Sequence, residues 1–215
     1  MIEEAHKHGL RVTAHIFTLD DAKQLLRAGS DAFAHGVRDR DIDDEFLALV
    51  KERPRVVLVP NLPDRGVKND LSWLAGSVSP AELQKLQAAS VDNPKAQQSF
   101  GIQARNLARL SAAGMRIALG TDGAVLWSHH LEMADMASAG MTPAQVIVAS
   151  TRNAAELVGL KDAGTIEAGR SADFIVLDAN PLDDIANTRR ISDVYLRGAA
   201  VDRAAVGARM TGRAP

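Results

Sequence analysis

The chain has 215 residues, 46% of them hydrophobic, which suffices for the core of one large domain. Its net charge is -2 with both signs interspersed, so no basic stripe indicates a nucleic-acid partner. The absence of cysteine excludes disulfides and thiol nucleophiles, and leaves any metal to His, Asp, Glu or modified Lys. No apolar run approaches the roughly 20 residues of a membrane-spanning helix, and no targeting signal stands out. We therefore expect a cytoplasmic protein with neither nucleic acid nor membrane as partner.

The first part of the chain alternates between strand and helix patterns. Runs rich in apolar and β-branched residues predict three strands, at residues 10–16, 31–36 and 55–59. Amphipathic segments predict the helices between them, at residues 22–29 and 41–53. Thr18 is placed to cap the first of these helices, and Pro60 ends the third strand.

A long irregular loop is predicted at residues 61–79, where Ser79 can cap the next helix. Further helices are predicted at residues 94–113, 131–139, 143–150 and 153–157, and a fourth strand at residues 115–119. Thr142 precedes Pro143 as a helix N-cap. Beyond Leu160 the composition becomes rich in glycine-bounded turns and β-forming residues.

Four repeats of strand and helix indicate an α/β fold with parallel strands and helices outside the sheet. A (β/α)8 barrel needs eight such units, so we predict half of a TIM-like barrel with part of a small β-sandwich domain. The expected division is a partial barrel at 1–159, the β domain at 160–203 and a fraying tail at 204–215.

Three polar residues follow predicted strands: His15, His35 and Asp122. In α/β barrels the carboxyl ends of the strands form the catalytic rim. The step from His15 to His35 matches one strand-helix unit, which predicts that the two imidazoles lie at the same height. A lone His or Asp is more often structural, but here three occupy equivalent positions, and their small neighbours leave room for a substrate.

Two imidazoles and a carboxylate suit a divalent metal, most simply zinc, with an open position for a water of lowered pKa. Asp122 is then both a metal ligand and the catalytic group that takes a proton from the water and passes it to a leaving nitrogen. The predicted reaction is hydrolysis of a carbon-nitrogen bond.

The segments GLRVTAH, FAHG and ALGTDG, which contain His15, His35 and Asp122, resemble metal motifs of the amidohydrolase superfamily. The C-terminal segments GMTPAQVIVASTRNAAELVGL and AGTIEAGRSADFIVLDANPLDDI are similar to the imidazolonepropionase-like and prolidase-like members. The resemblance implies that the chain corresponds to barrel strands 5 to 8. It also implies a first-strand His-x-His pair and a fourth-strand Lys or Glu, which this chain lacks. Phe17 stands where many relatives have another His.

Four further residues are candidate substrate contacts. His129 and His130 follow the Asp122 loop, and Asn61 and Arg65 lie on the loop after the third strand, where they could bind a substrate carboxylate. The alternatives are a helix start for the histidines and loop solubility for the other two. His6 and His8 are interpreted as solvated helix residues.

Two functional hypotheses remain. In the first, the chain is a metal-dependent hydrolase of small-molecule amides, dipeptides or cyclic amides, with the missing N-terminal half supplied by another chain or by a homo-oligomer. In the second, it is a truncated, catalytically incomplete amidohydrolase without independent activity. Metal content and hydrolysis by the purified chain distinguish the two.

Overall fold

The computed structural model describes residues 1–123 and 125–210. The strands within this part are β1 (Thr13–His15), β2 (Ala32–Ala34), β3 (Val57–Val59), β4 (Arg116–Ile117), β5 (Phe174–Leu177), β6 (Ile191–Leu196) and β7 (Ala199–Ala200). The α-helices are α1 (Ile2–Lys7), α2 (Leu19–Arg27), α3 (Asp44–Glu52), α4 (Pro80–Ala89), α5 (Pro94–Ala112), α6 (Ser128–Ser138), α7 (Pro143–Val148), α8 (Ala154–Leu157) and α9 (Arg203–Met210). A π-helix at Ala149–Asn153 joins α7 to α8, and short 3-10 helices lie at Ser72–Leu74 and Ile185–Arg189.

The described strands form two sheets. β1, β2, β3 and β4 are parallel and lie side by side in chain order, while β5, β6 and β7 form a small antiparallel sheet. The predicted α/β class, with a parallel sheet and a separate β-rich segment, is confirmed. The parallel sheet keeps two edges, at β1 and β4.

The two faces of the parallel sheet differ in side-chain size. Phe33 in β2 is paired with Ala14 in β1 and Leu58 in β3, and this row packs into the core formed with the helices. The neighbouring row contains Ala34, which is paired with His15 and Val59. Because side chains alternate between faces along a strand, His15 lies on the face opposite Phe33.

The three predicted helix N-caps are confirmed. Thr18, Ser79 and Thr142 each accept a hydrogen bond from a backbone N–H in the first turn of the following helix. Thr142 and Gln145 form a full capping box, and Pro143 begins the helix.

Two regions differ from the expected structure. The long loop after β3 contains a 3-10 turn at Ser72–Leu74 that buries Leu74. Residues 204–210 of the expected tail lie in α9, and residues 211–215 lie outside the described residues. A short helix needs few apolar residues, so the weak pattern there could not be distinguished from a fraying end. No helix of the described segments is long and apolar enough to cross the bilayer.

Asn106 on α5 connects this helix to the loop between β2 and α3. Its side chain is 1% exposed, donates to the carbonyls of Val37 and Arg40, and accepts from the N–H of Ile42. Backbone groups of an irregular segment need such partners when they are buried. Asn106 therefore holds the chain that leaves the His35 end of β2.

We expect the change Asn106→Ala to lower the free energy of unfolding by about 3 kcal/mol or more, because each buried group left without a partner costs about 1–3 kcal/mol. Urea denaturation measures this. Gln98→Ala, an exposed position of the same helix, is the matched control and should change stability by no more than about 0.5 kcal/mol. A loss below about 1 kcal/mol in Asn106→Ala would contradict the assignment.

Candidate functional site

The segments that follow β2, β3 and β4 share an unusual backbone feature. His35, Asn61 and Asp122 have φ angles of 65°, 41° and 48°, in the left-handed region. Among the described residues the other non-glycine case is Arg197, in the turn between β6 and β7. His, Asn and Asp tolerate this region better than other residues, but it remains uncommon and costs of the order of 1–3 kcal/mol. Backbone strain is thus concentrated at the carboxyl end of the parallel sheet.

His15 and His35 are in contact at this end of the sheet, although not in the predicted way. The register pairs His15 with Ala34, so His35 lies one residue further along and the prediction of equal height is wrong. Regular alternation would also direct His35 to the face opposite His15. The left-handed backbone at His35 breaks this alternation, and the ring centroids lie 4.4 Å apart in an edge-to-face arrangement.

Asp122 reaches the same group from β4. Its Oδ2 lies 3.7 Å from Nε2 of His35, and the Asp122 side chain is 71% exposed while that of His35 is 12% exposed. The carboxylate is therefore open to solvent, and the imidazole is held by the protein. Gly120, two residues earlier, has no room for a side chain, because a Cβ there would lie 2.8 Å from Oδ1 of Asn61.

The surroundings of His35 favour a neutral imidazole. Burial is the main cause, and together with the charge of Arg38 and the ring of His15 it lowers the pKa of His35 below its usual range. The Asp122 carboxylate and a backbone hydrogen bond to Asn61 act in the opposite direction on the same pKa. A neutral imidazole with one nitrogen engaged by the backbone has its other nitrogen free to bind a metal.

The Arg65 guanidinium lies in a network within the protein. It donates to Oγ of Ser138 at 2.6 Å and to Oδ1 of Asn69 at 3.1 Å, and its Nε lies 3.4 Å from Oδ1 of Asp135. These contacts tie the loop after β3 to α6. The two terminal nitrogens of Arg65 thus have hydrogen-bond partners, and its Nε has the Asp135 carboxylate only as an ion pair. Oδ1 of Asn61 is also buried without a hydrogen-bond partner among the described atoms.

His129 and His130 face a different part of the molecule. They line a cavity of about 640 Å³ between α6 and the small sheet. The His130 ring packs against Trp73 and His129, and its Nδ1 lies 3.3 Å from Oγ1 of Thr188. Burial, followed by the neighbouring His129 and Arg189, lowers the pKa of His130 to about 4. The contacts of His130 are those of a packed neutral residue.

Two acidic residues of α6 were not singled out from the sequence. Glu132 and Asp135 line a cavity of about 250 Å³ that also includes Thr121, next to Asp122. Burial raises the pKa of Glu132 to about 8 and that of Asp135 to about 6. The available signal was positional, because Glu132 precedes the buried Met136 by one helical turn and so falls within the apolar stripe.

The raised pKa of Glu132 predicts a loss of stability with rising pH. Between the ordinary value of 4.5 and about 8, the folded chain keeps a proton that the unfolded chain releases. The free energy of unfolding should therefore fall by up to roughly 1.4 kcal/mol per pH unit in this window. Urea denaturation at pH 6.5 and 8 measures the slope. His130 in the unfolded chain, at its ordinary pKa of 6.5, and Asp135 in the folded chain, at about 6, also titrate near the lower pH, and they do so equally in the wild type and in a Glu132 variant.

Glu132→Gln is the control for this slope, because a neutral amide cannot titrate. The variant should lose less stability than the wild type between the two pH values. Equal slopes in both proteins would contradict the raised pKa of Glu132.

Comparison with known proteins agrees with the arrangement of strands and site. The model of the amidohydrolase family matches residues 1–201. The chain belongs to this family. The imidazolonepropionase of Deinococcus radiodurans is 32% identical over 191 residues, which cover 85% of this chain and 46% of that protein. The ochratoxinase of Aspergillus niger is 32% identical over 197 residues, which cover 86% of this chain and 36% of that protein.

The fold is also found in solved structures of the family. A Xaa-Pro dipeptidase with bound methionine in its active site superposes with a TM-score of 0.68 at 25% identity, over 93% of this chain and 47% of that one. The amidohydrolase chain thus spans less than half the length of these relatives.

Members of the amidohydrolase family generally use divalent metals. The imidazoles of His15 and His35 and the carboxylate of Asp122 are suitable donors for such an ion. The rings of His15 and His35 are in contact, and Asp122 lies 3.7 Å from His35. Within residues 1–123 and 125–210, however, no three His, Asp or Glu side chains are grouped so that they could hold a metal. The expected convergence of the three ligands is therefore met only in pairs, His15 with His35 and His35 with Asp122.

Proposed function

We propose that this chain provides part of the metal centre of a hydrolase that cleaves carbon-nitrogen bonds in small molecules. The observation that carries the proposal is the concentration of backbone strain at His35, Asn61 and Asp122, in the segments that follow three adjacent strands. Strained backbone persists where the surrounding structure holds it, and it clusters at active sites. The names of the relatives, an imidazolonepropionase and a Xaa-Pro dipeptidase among them, support the same class of reaction.

His15, His35 and Asp122 would hold the ion, and zinc suits two imidazoles and a carboxylate best. A divalent ion there would supply Lewis-acid activation of water and of the scissile carbonyl group. His35 contributes a neutral imidazole, 12% exposed, that the backbone of Asn61 orients. The exposed carboxylate of Asp122 takes the proton of the attacking water and returns it to the leaving nitrogen.

The remaining metal ligands of such a site would come from outside His15, His35 and Asp122. We infer that the parallel sheet is one half of a (β/α)8 barrel, with the chain divided near residue 159 into the partial barrel and the β domain. A further polypeptide segment or a second copy of the chain would then complete both the barrel and the ligand set. A small amide, a dipeptide or a cyclic amide is the class of substrate that fits this chemistry. Asn61, next to His35, remains a candidate contact for such a substrate, whereas the Arg65 guanidinium already has protein partners.

A second candidate is a chain without independent activity. The observation that favours it is that the donors meet in pairs and not as a group of three in the described residues. Such a chain would bind a divalent ion weakly and would not turn over a substrate.

Hydrolysis assays on the zinc-loaded chain test the proposal. The substrates are a Xaa-Pro dipeptide, an N-acyl amino acid and a cyclic amide, each measured with the wild type and with Asp122→Asn. Hydrolysis that chelation abolishes and that Asp122→Asn reduces at least about 100-fold supports the enzyme. Zinc binding without hydrolysis of any substrate supports the second candidate. Hydrolysis that survives both chelation and Asp122→Asn would refute both.

A further inference from the structure

The segment that follows β3 lies between the two strand ends that carry His35 and Asp122. The N–H of His35 donates to the carbonyl of Val59 at 2.8 Å, and the His35 ring has a backbone hydrogen bond to Asn61. On the other side, the side chain of Asn61 lies against Gly120, next to the Asp122 loop. The backbone of Asn61 thus contacts one candidate ligand and its side chain borders the strand of the other.

Asn61 adopts a conformation that needs support. Its φ of 41° is in the left-handed region, and its buried Oδ1 has no hydrogen-bond partner in the part of the chain that the structure describes. An isolated residue of this kind would relax to an extended conformation. Some neighbouring contact must therefore hold the backbone immediately before or after it.

The contact is made by Glu132 of α6. Both carboxyl oxygens of Glu132 lie 3.1 Å from the N–H of Leu62, the residue after Asn61. Glu132 is 5% exposed, and 70 residues separate it from Leu62 in the chain. A carboxyl group is costly to bury, so its place in the apolar stripe of α6 calls for a specific role.

We propose that Glu132 is a positioning residue of the candidate metal centre, which holds the backbone at Asn61 and Leu62 and thereby fixes the orientation of the His35 imidazole. The inference rests on the proposed function, since it assigns His35 the role of a ligand. Hydrogen bonds to the second nitrogen of a ligating imidazole fix its tautomer and ring orientation. Glu132 acts on the imidazole indirectly. It binds the N–H of Leu62, next to the Asn61 backbone that makes the hydrogen bond to His35.

Glu132 can accept a hydrogen bond in both of its protonation states. Burial raises the pKa of Glu132 to about 8, so its carboxyl group is mostly neutral at pH 7. A neutral carboxyl group still accepts from the N–H of Leu62 through its carbonyl oxygen. Glutamine has the same shape and the same acceptor, so Glu132→Gln should preserve the contact and Glu132→Met should remove it.

Nitrogen NMR of the His35 ring in the metal-free protein tests the proposal independently of metal binding. At pH 7.5 the wild type should show a single neutral tautomer of His35. Glu132→Met should shift the ring signals toward a mixture of the two tautomers, and Glu132→Gln should restore the wild-type spectrum. Asp135→Asn is the matched control: Asp135 lies on the same helix and its side chain is only 16% exposed, but it pairs with Arg65, so the spectrum should not change.

Two results would overturn the proposal. One is a Glu132→Met protein that keeps the wild-type tautomer of His35; the other is a wild type that already contains both tautomers, which decides the question even if Glu132→Met fails to fold. Zinc titration then separates the claim that the site binds a metal from the claim that Glu132 positions His35. A wild type that binds zinc should lose about 10–100-fold in affinity in Glu132→Met. A wild type with the single tautomer but no zinc binding would refute the metal centre and leave the positioning role in place.

Discussion

Replacing His35 by alanine should weaken zinc binding by roughly 100-fold or more, a loss of about 2.7 kcal/mol in binding free energy. Of the three candidate ligands, His35 is the one that lies near both of the others. Its ring contacts His15, and its Nε2 lies 3.7 Å from Oδ2 of Asp122. Removing a partner of a ligand typically costs 10–100-fold in affinity, and removing the ligand itself should cost more. Competition with a chromophoric chelator at pH 7.5 measures the dissociation constant.

The control for this result is His6→Ala. His6 is also an imidazole, but it lies on α1 and pairs with Asp31, which precedes β2 at the opposite end of the strand from His35. Zinc affinity should not change in His6→Ala. Equal affinities in the wild type and His35→Ala would mean that the ion binds elsewhere.

The second large effect concerns the core beneath the site. Phe33→Ala should lower the free energy of unfolding by about 3–5 kcal/mol, because the Phe33 ring is 0% exposed and its removal leaves a cavity. Phe33 is paired with Ala14 and Leu58 in the centre of the parallel sheet. Such a loss is a large part of the 5–15 kcal/mol typical of a domain. Urea denaturation measures this loss, provided that the wild type and Phe33→Ala each unfold in a single transition.

Phe17→Ala is the matched control, with the same change in side-chain volume at a position two residues after β1. Phe17 is 51% exposed, and the guanidinium of Arg38 lies 5.1 Å from its ring centroid. Its loss should cost no more than about 1 kcal/mol. If the two variants lost the same stability, the parallel sheet would not be packed as the structure has it.

Local signals account for most of what could be predicted of the fold. The caps at Thr18, Ser79 and Thr142 act within one helical turn, so the sequence near each of them contains the whole interaction. The apolar runs around Phe33 and Leu58 indicate buried strands for the same reason. The strands are shorter than the runs, because their ends depend on pairing with neighbours that are distant in the chain.

The candidate site was predictable in its composition but not in its geometry. One strand-helix unit separates His15 from His35, and this spacing correctly predicts that the two residues are neighbours. The register of β1 and β2 and the left-handed backbone at His35 depend on the whole sheet, so the height of the rings could not be derived. Nor could the sequence indicate that Asp122 approaches His35 without forming one group with His15.

Long-range partners explain the remaining differences. Arg65 was a candidate for binding a substrate carboxylate, yet its guanidinium donates to Ser138, which is 73 residues away in the chain. Glu132 contacts the N–H of Leu62 across 70 residues. Nothing in the sequence near Arg65 or Glu132 specifies these contacts, because they form only when α6 packs against the loop after β3.

X-ray absorption at the zinc edge of the zinc-loaded chain tests the metal centre most directly. The proposed site predicts two imidazole nitrogens at about 2.0–2.1 Å and carboxylate oxygen at about 2.0–2.2 Å. The imidazole contribution should fall by one nitrogen in His15→Ala and by one in His35→Ala. A zinc spectrum without imidazole ligands, or one that neither change alters, would contradict the assignment of His15, His35 and Asp122 as ligands.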